Sequence, residues 1–447
     1  MNKLLIAGGV LAAVFVVAVL ALVVRYRTVE KDVDPPPVPS PTVTPAPAVT
    51  PAPAAAPTAT AHPGFLYGRI TTGAGTTYEG RLRWGGGEEA FWGDYFNGAK
   101  DKNPWIAQMP PERRPPARHH IEIFGLKLGP EERPVARLFM ARFGDIARIE
   151  ARGRDVQVTL KSGTAFDLNR MDASDFDDGV RVWDATRGVV NLDSLQVRTI
   201  ELLPTAPIGE APDRLQGTVH TRQGDFTGFV QWDREACVGA DELYGRTAEG
   251  ELELRFDTIR SIARRSPDSC RVTQIDGREI VLEVGDRNRG IYVDDPRYGR
   301  VLVSWDAFET VDFGAGGSGP AYGDFPAGRP LTGSITTRAG GRLTGRVVYD
   351  LDESETTETF DAPARGIDYT IPFGLIASIV PGTQNGRVTL QNGEELQLEL
   401  AGDLGDGNAG MLVFVDGAPS PAYVPWTDVA RVDFDRPPTM YPPLGGR

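Results

Sequence analysis

Three stretches of this chain repeat one another, and no other feature restricts its fold as strongly. The first begins Leu66-Tyr-Gly68-Arg-Ile70-Thr-Thr72 and continues, after a short gap, as Gly80-Arg-Leu82-Arg-Trp84. The second reads Leu215-Gln-Gly217-Thr-Val219-His-Thr221 and Gly228-Phe-Val230-Gln-Trp232. The third reads Leu331-Thr-Gly333-Ser-Ile335-Thr-Thr337 and Gly345-Arg-Val347-Val-Tyr349. Apolar and polar residues alternate within each run, and a glycine-containing turn separates the two runs, which is the signature of a β-hairpin.

Each opening unit is followed by a closing pattern: Phe143-Gly-Asp-Ile146-Ala-Arg-Ile149, Phe256-Asp-Thr-Ile259-Arg-Ser-Ile262 and Phe373-Gly-Leu-Ile376-Ala-Ser-Ile379. A further hairpin and a second closer then end each repeat, and in the third the two closers align as Ile371-Pro372-Phe373 with Val424-Pro425-Trp426. The expectation is an all-β chain of three tandem repeats, each made of two similar half-units. A hairpin, a third strand and a short closing strand resemble in pattern the plan of small SH3-like or Sm-like barrels, or a compact β-sandwich. Closure of this kind removes exposed strand edges. Aromatic residues at matching positions (Trp84, Trp232 and Tyr349; Phe373, Trp305 and Trp426) read as core markers rather than as a sugar-stacking platform.

The repeats span 64–203, 214–313 and 328–436, with a Pro-rich tail at 437–447. Strand-breaking stretches, Leu203 to Gly209 and Gly314 to Pro320, mark the boundaries. The copies differ most in one place. Opening Leu and closing Phe are 41 and 42 positions apart in the second and third repeats but 77 apart in the first, which places an insertion at 97–135. From 97 to 137 there are eight Lys/Arg against five Asp/Glu. Trp105, Arg113, Arg114 and Arg118 are therefore the candidate ligand-binding residues, suited to an anionic partner, against the plainer reading of a solvated loop with an extra hairpin.

Ahead of the repeats, residues 1–27 contain an uninterrupted run of 21 apolar or small residues, Leu4 to Val24. As a helix it measures about 31 Å, enough to cross the hydrocarbon core. The run is longer than the apolar region of a cleaved signal peptide and ends in Arg25, Tyr26 and Arg27, so it reads as an uncleaved signal-anchor and single-pass membrane segment. Residues 28–63 form a stalk; positions 35–63 hold 11 prolines and no Asp, Glu, Lys or Arg, a composition that favours extended polyproline II. Arg25, Arg27 and Lys31 favour a cytoplasmic body, whereas a spacer of this kind favours an extracytoplasmic one, and the latter is the reading adopted.

Composition narrows function by elimination. A net charge of −14 and a pI near 4.9 exclude the basic surface that nucleic acid requires. Four histidines, one of them in the stalk, leave almost no material for a histidine-dependent nucleophile. His119, His120 and Glu122 make a poor metal set, because adjacent residues of a strand face opposite ways. Acidic turns recur in the second half-units, and Asp175, Asp177, Asp403, Asp406 and Asn408 have the oxygen spacing of calcium loops, although Asp, Asn and Gly also build turns unaided. Two cysteines, Cys237 and Cys270, provide neither a metal ribbon nor a disulfide framework. The expectation is a protein without cofactor, calcium aside, that is not an enzyme and binds or scaffolds an envelope polymer or protein. The competing expectation is an envelope-polymer hydrolase using Asp/Glu side chains of the β modules.

Overall fold

The computed structural model describes residues 62–85, 90–100, 102–113, 121–123, 126–128, 137–170, 173–209, 211–284 and 290–437. The apolar run 4–24, nearly all of the stalk, Arg114, Arg118, His119 and His120 lie outside the described residues. Among the described residues no helix is long and apolar enough to cross a membrane.

The chain is nearly all β. The first segment contains β1 (Tyr67–Thr72), β2 (Thr77–Trp84), β3 (Tyr95–Lys100), a small hairpin of β4 (Ile121–Ile123) and β5 (Leu126–Leu128), then β6 (Arg137–Arg142), β7 (Ile146–Arg152), β8 (Asp155–Leu160), β9 (Ala165–Asn169), β10 (Val180–Asp184), β11 (Gly188–Leu192) and β12 (Val197–Leu202). The second contains β13 (Gln216–Thr221), β14 (Gly224–Trp232), β15 (Glu242–Thr247), β16 (Gly250–Arg255), β17 (Ile259–Ser266), β18 (Ser269–Gln274), β19 (Glu279–Glu283), β20 (Ile291–Asp295), β21 (Gly299–Val303) and β22 (Phe308–Phe313). The third contains β23 (Thr332–Thr337), β24 (Arg342–Val348), β25 (Thr359–Ala364), β26 (Ile367–Pro372), β27 (Ile376–Val380), β28 (Asn385–Leu390), β29 (Glu395–Glu399), β30 (Met411–Phe414), β31 (Ala422–Val424) and β32 (Val429–Phe434).

In the first segment the hydrogen-bonded order is β6-β3-β9-β8-β7-β12-β1-β2-β10-β11, and in the second it is β16-β15-β19-β18-β17-β22-β13-β14-β20-β21. Place by place these orders are the same. The third follows it as β29-β28-β27-β32-β23-β24-β30-β31, with its β25–β26 hairpin bonded elsewhere, onto β21 of the second segment. Second and third segments thus share a sheet.

The half-units do not close on themselves as small barrels. β2 pairs with β10 rather than with β3, and β1 pairs with β12 rather than with β7. Each half lends strands to the other about a central antiparallel pair, β7 with β12, β17 with β22 and β27 with β32. The recurring glycines explain how strands cross so closely. A Cβ on Gly80, Gly228 or Gly345 would stand 1.9, 1.9 or 2.1 Å from the carbonyl oxygens of Trp183, Asp294 and Phe414. Only a residue without a side chain allows that approach.

The alternation seen in sequence becomes burial. Trp84, Trp232, Tyr349, Phe373, Trp305 and Trp426 are all buried; Trp305 stacks on Phe308, and the others pack edge-on or tilted against Phe143, Phe256, Phe308 or one another. The recurring aromatics are core side chains. The stretch 314–330 is no free tether: Tyr322 packs at a tilt against Trp92, ring centres 4.5 Å apart, and Phe325 is 2% exposed within the first segment's core. Gly144 gives Phe325 room, since a Cβ there would lie 2.3 Å from its ring.

Candidate functional site

Burial of charge concentrates at two junctions between segments. Taking an ionised side chain out of water costs several kcal/mol unless it is paired, so such places are the first to examine for function.

At the junction of the first and second segments, Arg214 Nη2 donates to Asp94 Oδ1 at 2.8 Å and to Asp294 Oδ2 at 2.7 Å. Arg300 Nε donates to Asp294 Oδ1 at 2.7 Å, and its Nη2 reaches Asp94 Oδ1 at 3.2 Å. All four are buried, and two positive and two negative charges cancel. The Arg214 guanidinium lies 4.6 Å from the ring centroids of both Phe91 and Phe229, which accounts for a Nε and Nη1 without hydrogen-bond partners. Burial by itself would raise the Asp294 carboxyl, but Arg300 and Arg214 outweigh it and hold it below the ordinary carboxylate range. This charge-balanced cluster works as a lock between the two segments. No sequence motif announced it. The available signal was an arginine at 214, where the first repeat has Phe65 and the third Pro330.

At the junction of the first and third segments lies a cavity of about 250 Å³, lined by Lys100, Arg137, Asp350, Asp352, Glu353, Glu358, Asp361 and Asp403 among others. Lys100 Nζ donates to Asp352 Oδ1 at 2.9 Å and Glu358 Oε1 at 3.0 Å; Arg137 Nη1 donates to Asp350 Oδ2 at 2.7 Å. Burial would lower the Lys100 ammonium, but Glu358 and Asp352 reverse that and raise it. Asp403 Oδ2 accepts from the Asp361 amide at 2.7 Å. Glu353 stands apart: it is 9% exposed, and its Oε2 has no hydrogen-bond partner among the described residues. Burial, then Asp352 and Asp403, push the Glu353 carboxyl well above its usual range. Burial and Asp361 do the same to Asp403. With two cations among six carboxyl groups, protonation is the remaining way to neutralise the cavity.

The insertion forms part of this junction. Its equivalents in the other segments are the two-residue turns Ala248-Glu249 and Arg365-Gly366, while the first segment runs 36 residues from β3 to β6. Residues 97–100 belong to β3, so the inserted portion begins after Lys100 and not at 97. Asn103 Nδ2 donates to the Leu351 carbonyl at 2.8 Å. Trp105 is half-buried, 6.2 Å from Phe414 and 5.4 Å from the Arg346 guanidinium, and Met109 is buried with Val348, Leu351 and Leu412. Trp105 is thus a packing anchor between segments, and the first part of the insertion is a clamp rather than a solvated loop. Arg113 is exposed near Tyr423.

Most of the candidate calcium oxygens are engaged by protein donors. Asp175 Oδ2 accepts from the backbone and side-chain amides of Asn97 at 2.7 and 3.0 Å, and Asp177 Oδ1 from Ser194 Oγ at 3.1 Å. Asn408 Nδ2 donates to the Asp403 carbonyl while its Oδ1 accepts from the Gly410 amide, both at 2.9 Å; Asp406 is exposed. Among the described residues no group of three or more His, Cys, Asp or Glu is arranged to hold a metal ion. Both cysteines are buried, and burial pushes the Cys270 thiol up to about 12.

One further place is open rather than filled. Beside β11 lies a groove of about 510 Å³, lined by Arg83, Val180, Arg181, Asn191, Leu192 and Asp193 among others. β11 ends its sheet, as β16 ends the sheet of the second segment. Comparison with protein-family models, with curated proteins and with solved structures returns no match.

Proposed function

We propose that residues 64–436 are three copies of one ten-strand β module, carried on a membrane anchor at 4–24 and a proline-rich stalk. On this reading the protein is a non-catalytic scaffold or binding component of the cell envelope, with its body on the extracytoplasmic side. The observation that carries the reading is the pairing of β21 with β26, from Arg300 opposite Thr370 to Val303 opposite Ile367. The module adds a neighbour by extending a sheet, and equivalent edges remain uncovered at β11 and β16. Strand addition of this kind binds through main-chain hydrogen bonds and takes specificity from alternate side chains. The acidic surface and the length of the stalk support a role in reaching envelope polymer or protein, and not nucleic acid.

The test is capture by the full-length protein, in detergent, from separated peptidoglycan, membrane and envelope-protein fractions. Enrichment of one component is the expected result, and none from any fraction with the body well folded refutes the binding reading. A reporter active only outside the cytoplasm, fused after residue 64, is expected to work; activity of a cytoplasmic reporter alone reverses the orientation. The cavity acid Glu353 favours one second reading, a polymer hydrolase. That reading requires turnover of envelope polysaccharide or peptide that Glu353→Gln abolishes, and a clean negative across substrates removes it.

A further inference from the structure

Resting on the scaffold reading, we propose that the groove beside β11 receives the β15–β16 hairpin of a second copy of this chain, so that the protein assembles head to tail.

The chain contains its own precedent. In the second segment the groove beside β21 is filled: β26 pairs along β21, and the turn of the β25–β26 hairpin closes over the strand end, where the Ser304 amide donates to the Gly366 carbonyl at 3.0 Å. Gly366 packs so tightly there that a Cβ would lie 2.7 Å from Ser304 Oγ and 3.3 Å from the Ala307 Cβ. Strand for strand, β11 is the first-segment equivalent of β21: Gly188–Leu192 matches Gly299–Val303, and Asp193 stands where Ser304 does. Four residues lining the open groove, Asn191, Leu192, Asp193 and Gln196, hold the places of Leu302, Val303, Ser304 and Ala307, which meet the hairpin in the second segment. Likewise β16 is the equivalent of β26, each beginning just after a two-residue turn.

Carrying the β21–β26 register across fixes the partners. Leu192 would face Gly250, Asn191 would face Glu251, Val190 would face Leu252, and Val189 would face Glu253 of the second copy. Cross-strand neighbours in this register share one face of the sheet. Leu82, Val182 and Val190 already form an apolar row across β2, β10 and β11, and Leu252 would extend it. Val190 and Leu252 are each only half covered, whereas Val301 and Tyr369, their filled counterparts, are buried. In the adjacent row, Arg83, Arg181 and Asn191, Arg83 is already paired with Asp241 of the same chain at 3.5 Å, and Glu251 would meet Arg181 beside Asn191. Exposed Val189 gains cover as well, being 58% exposed as it stands.

A second copy, rather than the chain's own β16, is the occupant because the first and second segments are already locked. The buried Arg214, Arg300, Asp94 and Asp294 cluster fixes their relation with β11 and β16 unpaired. The contact joins two different surfaces, so it propagates as a row or closes as a ring.

The test uses full-length variants with one added cysteine each, Asn191→Cys and Glu251→Cys, both at exposed positions and facing each other in the inferred register. Mixed and oxidised, they are expected to give a disulfide-linked pair that neither variant gives alone; Cys237 and Cys270 are buried and stay silent. Val189→Asp, placed opposite Glu253, is expected to weaken association about fivefold by sedimentation, and mixing it with Glu253→Lys should restore it. No cross-chain disulfide, with a monomer over about a hundredfold range of concentration, overturns the proposal. So does a disulfide that forms only within a chain carrying both cysteines. Should the monomer still capture an envelope component, and Val189→Asp abolish that capture, the scaffold reading stands and the second copy is the wrong occupant.

Discussion

Replacing Arg214 by methionine removes the centre of the lock between the first and second segments. Two hydrogen bonds, at 2.8 and 2.7 Å, disappear, and Asp94 and Asp294 are left to share Arg300 alone, with a net charge of −1 inside the protein. Breaking a buried ion pair from one side costs about 3–5 kcal/mol, because the partner charge stays buried. The compact unit Pro57–Arg447 holds roughly 390 residues. At about 2 cal/mol/K per residue its unfolding entropy is about 0.8 kcal/mol/K, so the expected fall in Tm is about 4–6 °C. Calorimetry or circular dichroism reads this directly. A second variant isolates the cause: adding Asp94→Asn to Arg214→Met removes the stranded charge, so the double variant should be more stable than Arg214→Met alone. A fall below about 1 °C, or simple additivity in the double variant, would show that the cluster is solvated and not a lock.

Three further outcomes follow from the same structure. The carboxyls of Glu353, Asp403, Asp361 and Asp350 are all raised by burial; each holds its proton more tightly folded than unfolded, so stability is highest below the unfolded carboxyl range and falls as pH rises through the folded values. As pH rises from about 4, the ordinary carboxyl range, these four groups should lower Tm, and Glu353→Gln should raise stability at the upper end and flatten the slope; an unchanged slope refutes the assignment. Phe325→Ala should cost about 3–5 kcal/mol and open the 314–330 stretch to limited proteolysis, which the intact protein should resist; cleavage there in the unaltered protein would show that Phe325 is not seated. Calcium added after chelation should leave Tm unchanged, since the oxygens of Asp175, Asp177 and Asn408 are engaged by protein donors; a rise of several degrees would mean these turns open to bind it.

The sequence by itself determined the all-β character and the core. Alternation is a local property: with a side-chain period of two, Ile70, Leu82, Val219 and Val347 had to share a buried face, and each is buried. The motif glycines were legible as recurrences, but their reason, a carbonyl from a distant strand passing within about 2 Å of a Cβ position, is tertiary. Which hairpin pairs with which was not legible, because two similar halves offer each strand two chemically equivalent partners; β2 chooses β10 over β3 only through the packing of the whole module. The site was hidden for a related reason. Arg214, Asp94 and Asp294 are far apart in sequence, as are Lys100 and Glu358, and a charge on an alternating strand reads as solvent-facing until another segment covers it. Trp105 read as a candidate ligand-binding residue on a basic insertion, and its packing against Phe414 of the third segment was not legible there. Local pattern chooses strands and their inner faces, whereas the surfaces between segments exist only once the segments have met.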